Sequence, residues 1–179
     1  MRIAQICPKY YPVIGGVETF VMETSKRLVE RGFEIEILTT DPSGILPKEE
    51  IIEDIKVRRF RSYTPKNFYH FSPTMLMELS KSRFDIVHAH GYQDFPAFCG
   101  AASKRYNKSI NIVTLHLSFS KAGNWIYSIY NPSVGKYIFE RATKILIVSP
   151  ATLTKFPFLF KYQNKVACIP NGVYVSKID

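Results

Sequence analysis

No two cysteines in this sequence are spaced as C-x-x-C, and the three present, Cys7, Cys99 and Cys168, are odd in number and far apart. That pattern supports neither a disulfide framework nor a zinc site, so all three are read as buried thiols. No apolar run approaches the roughly 20 residues that cross a bilayer. The opening MRIAQICPKYYP lacks the longer apolar core of a signal peptide, which makes the cytoplasm the expected location. A Walker A loop, a GxGxxG fingerprint and a GxSxG elbow are all missing, which argues against a P-loop NTPase, the usual dinucleotide fold and a hydrolytic triad. Acid is in short supply: 15 Asp and Glu face 24 Lys and Arg, for a net charge of +9. Such a balance favours phosphorylated ligands, anionic lipid or nucleic acid without choosing among them.

What is present is an alternation. RIAQIC (2–7), IEILTT (35–40), DIVHAH (85–90), NIVTLH (111–116) and KILIVS (144–149) are short, apolar and rich in β-branched residues, as in buried parallel strands. Between them, Val17, Phe20, Val21, Leu28 and Val29 fall near one helical face, with Gly32 placed to end that helix. Ser72-Pro73 starts a second helix with Ser72 as its N-cap, FPAFCGAASKRY (95–106) reads as a third, and Asn131-Pro132 caps a fourth. Strands alternating with helices predict one α/β domain, a Rossmann-like, doubly wound parallel sheet with right-handed crossovers. Three segments break the rhythm: residues 41–54, 62–71 and 117–130 read as excursions, the last two rich in aromatics. KVRRFR (56–61) reads as a strand with an exposed basic face, and residues 169–179 as linker-like.

In open α/β sheets, ligands bind beyond the C-terminal strand ends, where Gly15-Gly16, His90, His116 and Ser149 all fall. Gly15 and Gly16 precede the first helix, whose free N–H groups and positive dipole end suit a phosphate if the backbone can approach closely; a tight turn needing positive φ is the alternative. Glu18 in the first turn stabilises the helix dipole. His88 and His90 share a strand face, with His88 read as a core group bonded to backbone, and no carboxylate or cysteine cluster accompanies them for a metal. His90 and His116, at strand ends, are placed to contact hydroxyls or phosphate. The aromatics Tyr63, Phe68, Tyr69, Phe71, Trp125, Tyr127 and Tyr130 can stack on sugars, face a membrane or pack loops. FPFLFKY (156–162) either docks on anionic lipid or packs on the sheet, and packing is the expectation.

In order along the chain, GGVETFVMETSKRLVERGFEIEILTT, FDIVHAHG, IVTLH, ATKILIVSP and KVACIPNGV resemble the N-terminal half of retaining glycosyltransferases of the GT-B fold, family four. The resemblance implies an acceptor-side Rossmann-like domain over residues 1–169 and an interdomain linker remnant over 170–179. The resemblance implies that the C-terminal donor-binding domain is missing from this chain, and the family's two glutamates separated by seven residues do not occur in it. Gly16 is similar to the glycine whose N–H meets the donor diphosphate, with Gly15 supporting the loop, and His116 to the catalytic histidine near the transferred sugar. His90, Glu18 and Ser149 complete the substrate side. Where many members follow TLH with glycine or a hydroxyl residue, Leu117 stands here, so the acceptor loop is expected to differ in shape.

The implied reaction transfers a hexose from a nucleotide-diphosphate sugar, a co-substrate, to a hydroxyl with retention and without a metal. This chain would be inactive until joined to its own C-terminal domain. The acceptor would be a sugar, a lipid-linked sugar or another small molecule, with possible peripheral membrane contact and no nucleic acid. A non-catalytic binding module for a sugar, phosphate or lipid headgroup is the alternative.

Overall fold

The computed structural model describes residues 1–65, 69–106, 108–116 and 131–172. Strands β1 (Arg2–Ile6), β2 (Glu34–Asp41), β3 (Glu49–Ile52), β4 (Ile55–Arg61), β5 (Ile86–His90), β6 (Ile110–Leu115), β7 (Lys144–Ile147) and β8 (Val166–Cys168) form one sheet in the order β3-β4-β2-β1-β5-β6-β7-β8. Every pairing is parallel except β3 with β4. The chain winds outward from β1 through β2 to β4, then returns to β5 beside β1 and winds the other way. The β1/β5 boundary is therefore the topological switch point, where a crevice opens at the carboxyl edge of a doubly wound sheet.

Among the described residues, five α-helices cover the faces: α1 (Gly16–Glu30), α2 (Pro73–Lys81), α3 (Phe95–Ser103), α4 (Lys136–Arg141) and the short α5 (Ala151–Lys155). Alternate strand residues face opposite sides, so Ile35 and Ile37 of β2 pack with Val21 of α1 while Leu38 joins Met75 and Leu79 of α2 and Ile138 of α4. Burying a leucine such as the fully enclosed Leu79 contributes about 1.5–3 kcal/mol. Gly32 ends α1 as the spacing requires: its φ is +82°, its N–H donates to Val29 O at 2.8 Å and Phe33 N–H donates to Leu28 O at 3.1 Å.

Several expectations change. Residues 41–54 are not a bare excursion, because they contain β3, joined to β4 by a two-residue hairpin in which Glu53 (φ 51°) and Asp54 (φ 61°) take the left-handed conformation usually left to Asn or Gly. Residues 166–168, to which the spacing assigns no element, form the edge strand β8, and Ile169 N–H donates to Ile147 O. Ser72 precedes α2 as expected, but its hydroxyl does not cap the helix and instead donates to Arg61 O at 2.8 Å, tying α2 to β4. The cap expected at Asn131-Pro132 is a π-helical turn (Asn131–Gly135) that leads into α4. Cys168 is exposed on the edge strand rather than buried.

The basic face expected on 56–61 is largely neutralised. Arg58 reaches Glu36 and Glu49 at 3.1 Å and Glu78 at 2.9 Å, and Lys56 reaches Glu49 at 3.1 Å. Arg59 points inward, with a side chain only 2% exposed that pairs with Glu50. FPFLFKY forms a 3-10 helix (Pro157–Tyr162) that buries Leu159 and Tyr162, so packing prevails there. Tyr69 packs beside Phe95, whereas Tyr63 is exposed. Phe68, Trp125, Tyr127 and Tyr130, the loop 117–130 and residues 173–179 of the linker-like tail lie outside the described residues.

Candidate functional site

The carboxyl edge at the switch point gathers polar groups that three strands deliver separately. Gln5 on β1, fully buried, accepts from His90 Nε2–H of β5 at 2.7 Å, so this bond crosses the β1/β5 boundary itself. With that proton on Nε2, neutral His90 presents a lone pair at Nδ1, which accepts from His116 Nε2–H at 3.2 Å. The polarity of the chain then leaves His116 Nδ1 as an acceptor with no partner among the described residues. His88, one pleat behind, sits with its ring 4.3 Å from that of His90 and bonds Thr114 Oγ1 at 2.7 Å, a side-chain hydroxyl rather than the expected backbone partner. Gly91 makes this packing possible: at φ +87° it turns the chain sharply after His90 while its N–H donates to Thr114 O.

Burial keeps the cluster uncharged. Desolvation drives His116 down to about 4 and, with a smaller contribution from His116, His88 down to about 3. His90, enclosed and flanked by both, is held well below the ordinary imidazole range, first by burial. Neutral imidazoles, each able to donate and accept one bond, are what a hydroxyl-binding site needs. The nearby thiol of Cys7 is pushed by burial up to about 12 and is no nucleophile at neutral pH.

Phe20 of α1 joins the helix to the histidines, its ring standing edge-on to His116 at 5.1 Å and to His90 at 5.8 Å. Gly16 lies one turn earlier, about 6 Å along the axis, so the start of α1 is brought to the same corner. Neither Gly15 nor Gly16 has positive φ, which removes the tight-turn reason for these glycines. The first helical bond runs from Thr19 N–H to Gly15 O at 2.9 Å, and no side chain caps the amides before it. A Cβ on Gly16 would meet only open space, whereas one on Gly15 would collide with Glu18 Oε2. Glu18 thus folds back over Gly15 rather than reaching toward the histidines.

Ser149 lies on the same edge beyond β7, and its hydroxyl accepts from Ala151 N–H at 3.3 Å at the start of α5. The structure therefore brings together His90, His116 and the start of α1, and leaves Ser149 in a local turn two strands from β5. Sequence reasoning missed Gln5, Thr114, Phe20 and Arg59. Gln5 carried a signal, being a polar residue set inside the apolar run that follows Arg2 in RIAQIC. Phe20 was read as part of the sheet-facing stripe of α1, and nothing in the sequence marked it as a ring support. Arg59 donates to Tyr11 O at 2.6 Å and to Pro47 O at 3.3 Å, clasping the loop that leads to Gly15 against the loop after β2. Asp94 caps α3 through Phe95 N–H and also accepts from His70 N–H and Nδ1, both at 2.6 Å, fixing the segment ahead of α2.

Similarity to known proteins identifies the family. The sequence pattern of Glycosyltransferase Family 4 matches residues 14–177. The GDP-mannose:cellobiosyl-diphosphopolyprenol alpha-mannosyltransferase of Xanthomonas oryzae pv. oryzae is 24% identical, over 99% of this chain and 47% of that protein. An uncharacterized glycosyltransferase of Methanocaldococcus jannaschii is 30% identical over 92% of this chain and 45% of its own length. The chain thus spans just under half the length of these curated relatives. Among solved structures, sucrose-phosphate synthase from Thermosynechococcus elongatus superposes with a TM-score of 0.64 at 15% identity, over 98% of this chain and 49% of that one, a likeness of fold. With the family pattern covering residues 14–177 and the sheet wound in this way, the chain belongs to Glycosyltransferase Family 4 and has the fold of a GT-B N-terminal domain.

Proposed function

We propose that this domain forms the acceptor side of a retaining transferase that moves a hexose from a nucleotide-diphosphate sugar to a hydroxyl, without a required metal. The observation that carries the reading is the Gln5–His90–His116 chain, which ends in an imidazole lone pair with no partner among the described residues, beside the uncapped start of α1. His116 Nδ1 accepts from a sugar hydroxyl and fixes the ring at the reacting carbon. The amides of Gly16 and Val17, at the positive end of α1, face the diphosphate. As the glycosidic bond breaks, charge grows on that leaving group, so oriented N–H donors stabilise the transition state more than the ground state. Glu18 holds Gly15 in place, and Ser149 borders the acceptor side.

The other wall of such a site is a donor domain, and the isolated chain is expected to be inactive without it. Closure of the two walls expels water and limits hydrolysis of the activated sugar. The acceptor is proposed to carry a phosphate and to be presented at a membrane surface, because the bacterial relative's name specifies a diphosphopolyprenol-linked sugar and the net charge of +9 favours anionic partners. Among the described residues no helix is long and apolar enough to cross a membrane, so contact would be peripheral. Cytoplasmic location is part of the same proposal.

The test is transfer from a panel of nucleotide-diphosphate sugars by the full-length protein that carries this domain. His116→Ala is expected to lower turnover about 100-fold while its melting curve stays close to that of the wild type. Absence of transfer from every donor, or an unimpaired His116→Ala enzyme, overturns the reading.

A further inference from the structure

A second polar region lies on the carboxyl edge, away from the histidines. Where β2 and β4 end, a cavity of about 420 Å³ opens among Asp41, Lys48, Arg58, Arg59, Arg61 and the start of α2 at Thr74. Two of its cations are already neutralised, Arg58 by three carboxylates and Arg59 by Glu50. Lys48 and Arg61 have no acidic partner among the described residues. Arg61 lies across the loop at Gly44, where a Cβ would sit 3.6 Å from its Nε, and φ of +66° at Gly44 keeps that position open to the guanidinium.

Two acids line this wall: Glu49 is paired with Lys56 and Arg58, both at 3.1 Å, and the lone pairs of Asp41 are directed into its own loop. Asp41 accepts from Ser43 N–H at 2.9 Å, Ser43 Oγ–H at 2.5 Å and Leu46 N–H at 3.0 Å. Burial alone would raise its pKa, but these bonds outweigh burial and keep it ionised and turned to the loop. Between the lining residues Gly44 and Leu46, Ile45 is 85% exposed, and two residues beyond Arg61, Tyr63 is 72% exposed and bridged to Phe71 through paired backbone bonds. Cations without acidic partners on the wall and exposed apolar side chains on the segments that build it suit an anionic group attached to something apolar.

We propose that this cavity binds the phosphate or diphosphate of the acceptor, held by Lys48 and Arg61 with Thr74 as a further donor. The anion site rests on the cavity itself, and its assignment to the acceptor rests on the acceptor-side reading above. From β4 to β6, the strand that leads into His116, is four strand spacings, about 19 Å at roughly 4.8 Å each, and from β4 to β1 is two. An acceptor phosphate anchored here leaves room for sugar between the anchor and His116, and remains apart from the donor diphosphate at the start of α1.

The experiment titrates pyrophosphate into the wild-type chain, into Lys48→Gln/Arg61→Gln and into Gly16→Val, each checked for an unchanged melting curve. Saturable binding that weakens about tenfold in the double variant and persists in Gly16→Val supports the cavity. Absence of saturable binding, binding unchanged in the double variant, or binding lost only in Gly16→Val overturns it. Sedimentation with vesicles of phosphatidic acid in phosphatidylcholine identifies the source of the phosphate. Capture above that by phosphatidylcholine alone, reduced by Ile45→Ser, supports a lipid-linked phosphate, and pyrophosphate binding without capture supports a soluble one. Loss of sugar transfer with pyrophosphate binding intact removes the transferase reading but not the site, and the converse result removes the site alone.

Discussion

The histidine cluster over β5 and β6 and the basic corner over β3 and β4 share one sheet edge, yet they solve the problem of polar groups near a core in opposite ways. In the cluster, burial removes charge: the imidazoles are neutral and satisfy one another and Gln5 through directed bonds. In the corner, charge persists because acids are placed against it, as Glu36, Glu49 and Glu78 around Arg58 show. The first arrangement is sensitive to protons and indifferent to salt, since no net charge is present. The second is indifferent to protons near neutrality and open to screening wherever its pairs are exposed. One sheet edge therefore carries a neutral cluster and a charged, ion-paired one side by side.

Acid is expected to break the contrast most strongly. His88, His90 and His116 all have folded pKa values below the ordinary histidine value, so the unfolded chain binds more protons as pH falls. Their stabilisation is fully present above about pH 6.5 and is lost as pH falls toward the folded values of about 4 for His116 and about 3 for His88, at no more than about 1.4 kcal/mol per histidine per pH unit. Urea melts between pH 7 and pH 4 should show this loss, and a flat profile would place the histidines in contact with solvent.

Removing Arg58 attacks the other side of the comparison. Arg58→Ala leaves Glu36, whose side chain is 9% exposed, buried without its nearer cation, and is expected to cost about 2–3 kcal/mol. Thermal melts at low and high salt are the check. A loss much below 1 kcal/mol would mean that the carboxylates find water instead.

Gln5→Leu separates positioning from stability. It leaves His90 Nε2–H without an acceptor but also deletes Gln5 Nε2, a buried donor that has no partner, so the net stability loss should be about 1 kcal/mol. In the full-length enzyme, turnover should fall about tenfold, with little change in KM for the donor, because the proton on His116 is no longer directed. An unchanged turnover would show that His116 holds its orientation without the chain.

The smallest effect is expected at the start of α1. Gly16→Ala adds a methyl group to open space on a helical residue and should stabilise the chain by about 0.5 kcal/mol. Donor affinity in the full-length protein should nevertheless weaken, and unchanged affinity would remove the amide of Gly16 from the diphosphate site.

Most of the fold could be read from local pattern. The strands β1, β2 and β5 to β7, the helix between Gly16 and Gly32 and the helix after Ser72-Pro73 all follow from runs of one period bounded by a chain breaker, which is information within a few residues. The hairpin at Glu53-Asp54 escaped because its turn uses residues that do not advertise positive φ. The strand β8 is three residues long, too short for alternation to register.

The site divides in the same way. That His90, His116 and Gly16 would stand at the carboxyl edge followed from strand order alone, because strand direction in a parallel sheet sets which end each residue reaches. That Gln5 would take the proton of His90, that Phe20 would leave its helix stripe to support two rings, and that KVRRFR would be neutralised by Glu36, Glu49 and Glu78 depended on contacts between separate strands and helices, such as Gln5 with His90 across 85 residues and Arg58 with Glu36 across 22. Periodicity is local and survives in one dimension. The partner of a buried charge or proton is chosen by register between strands, and that choice exists only after the sheet has closed around it.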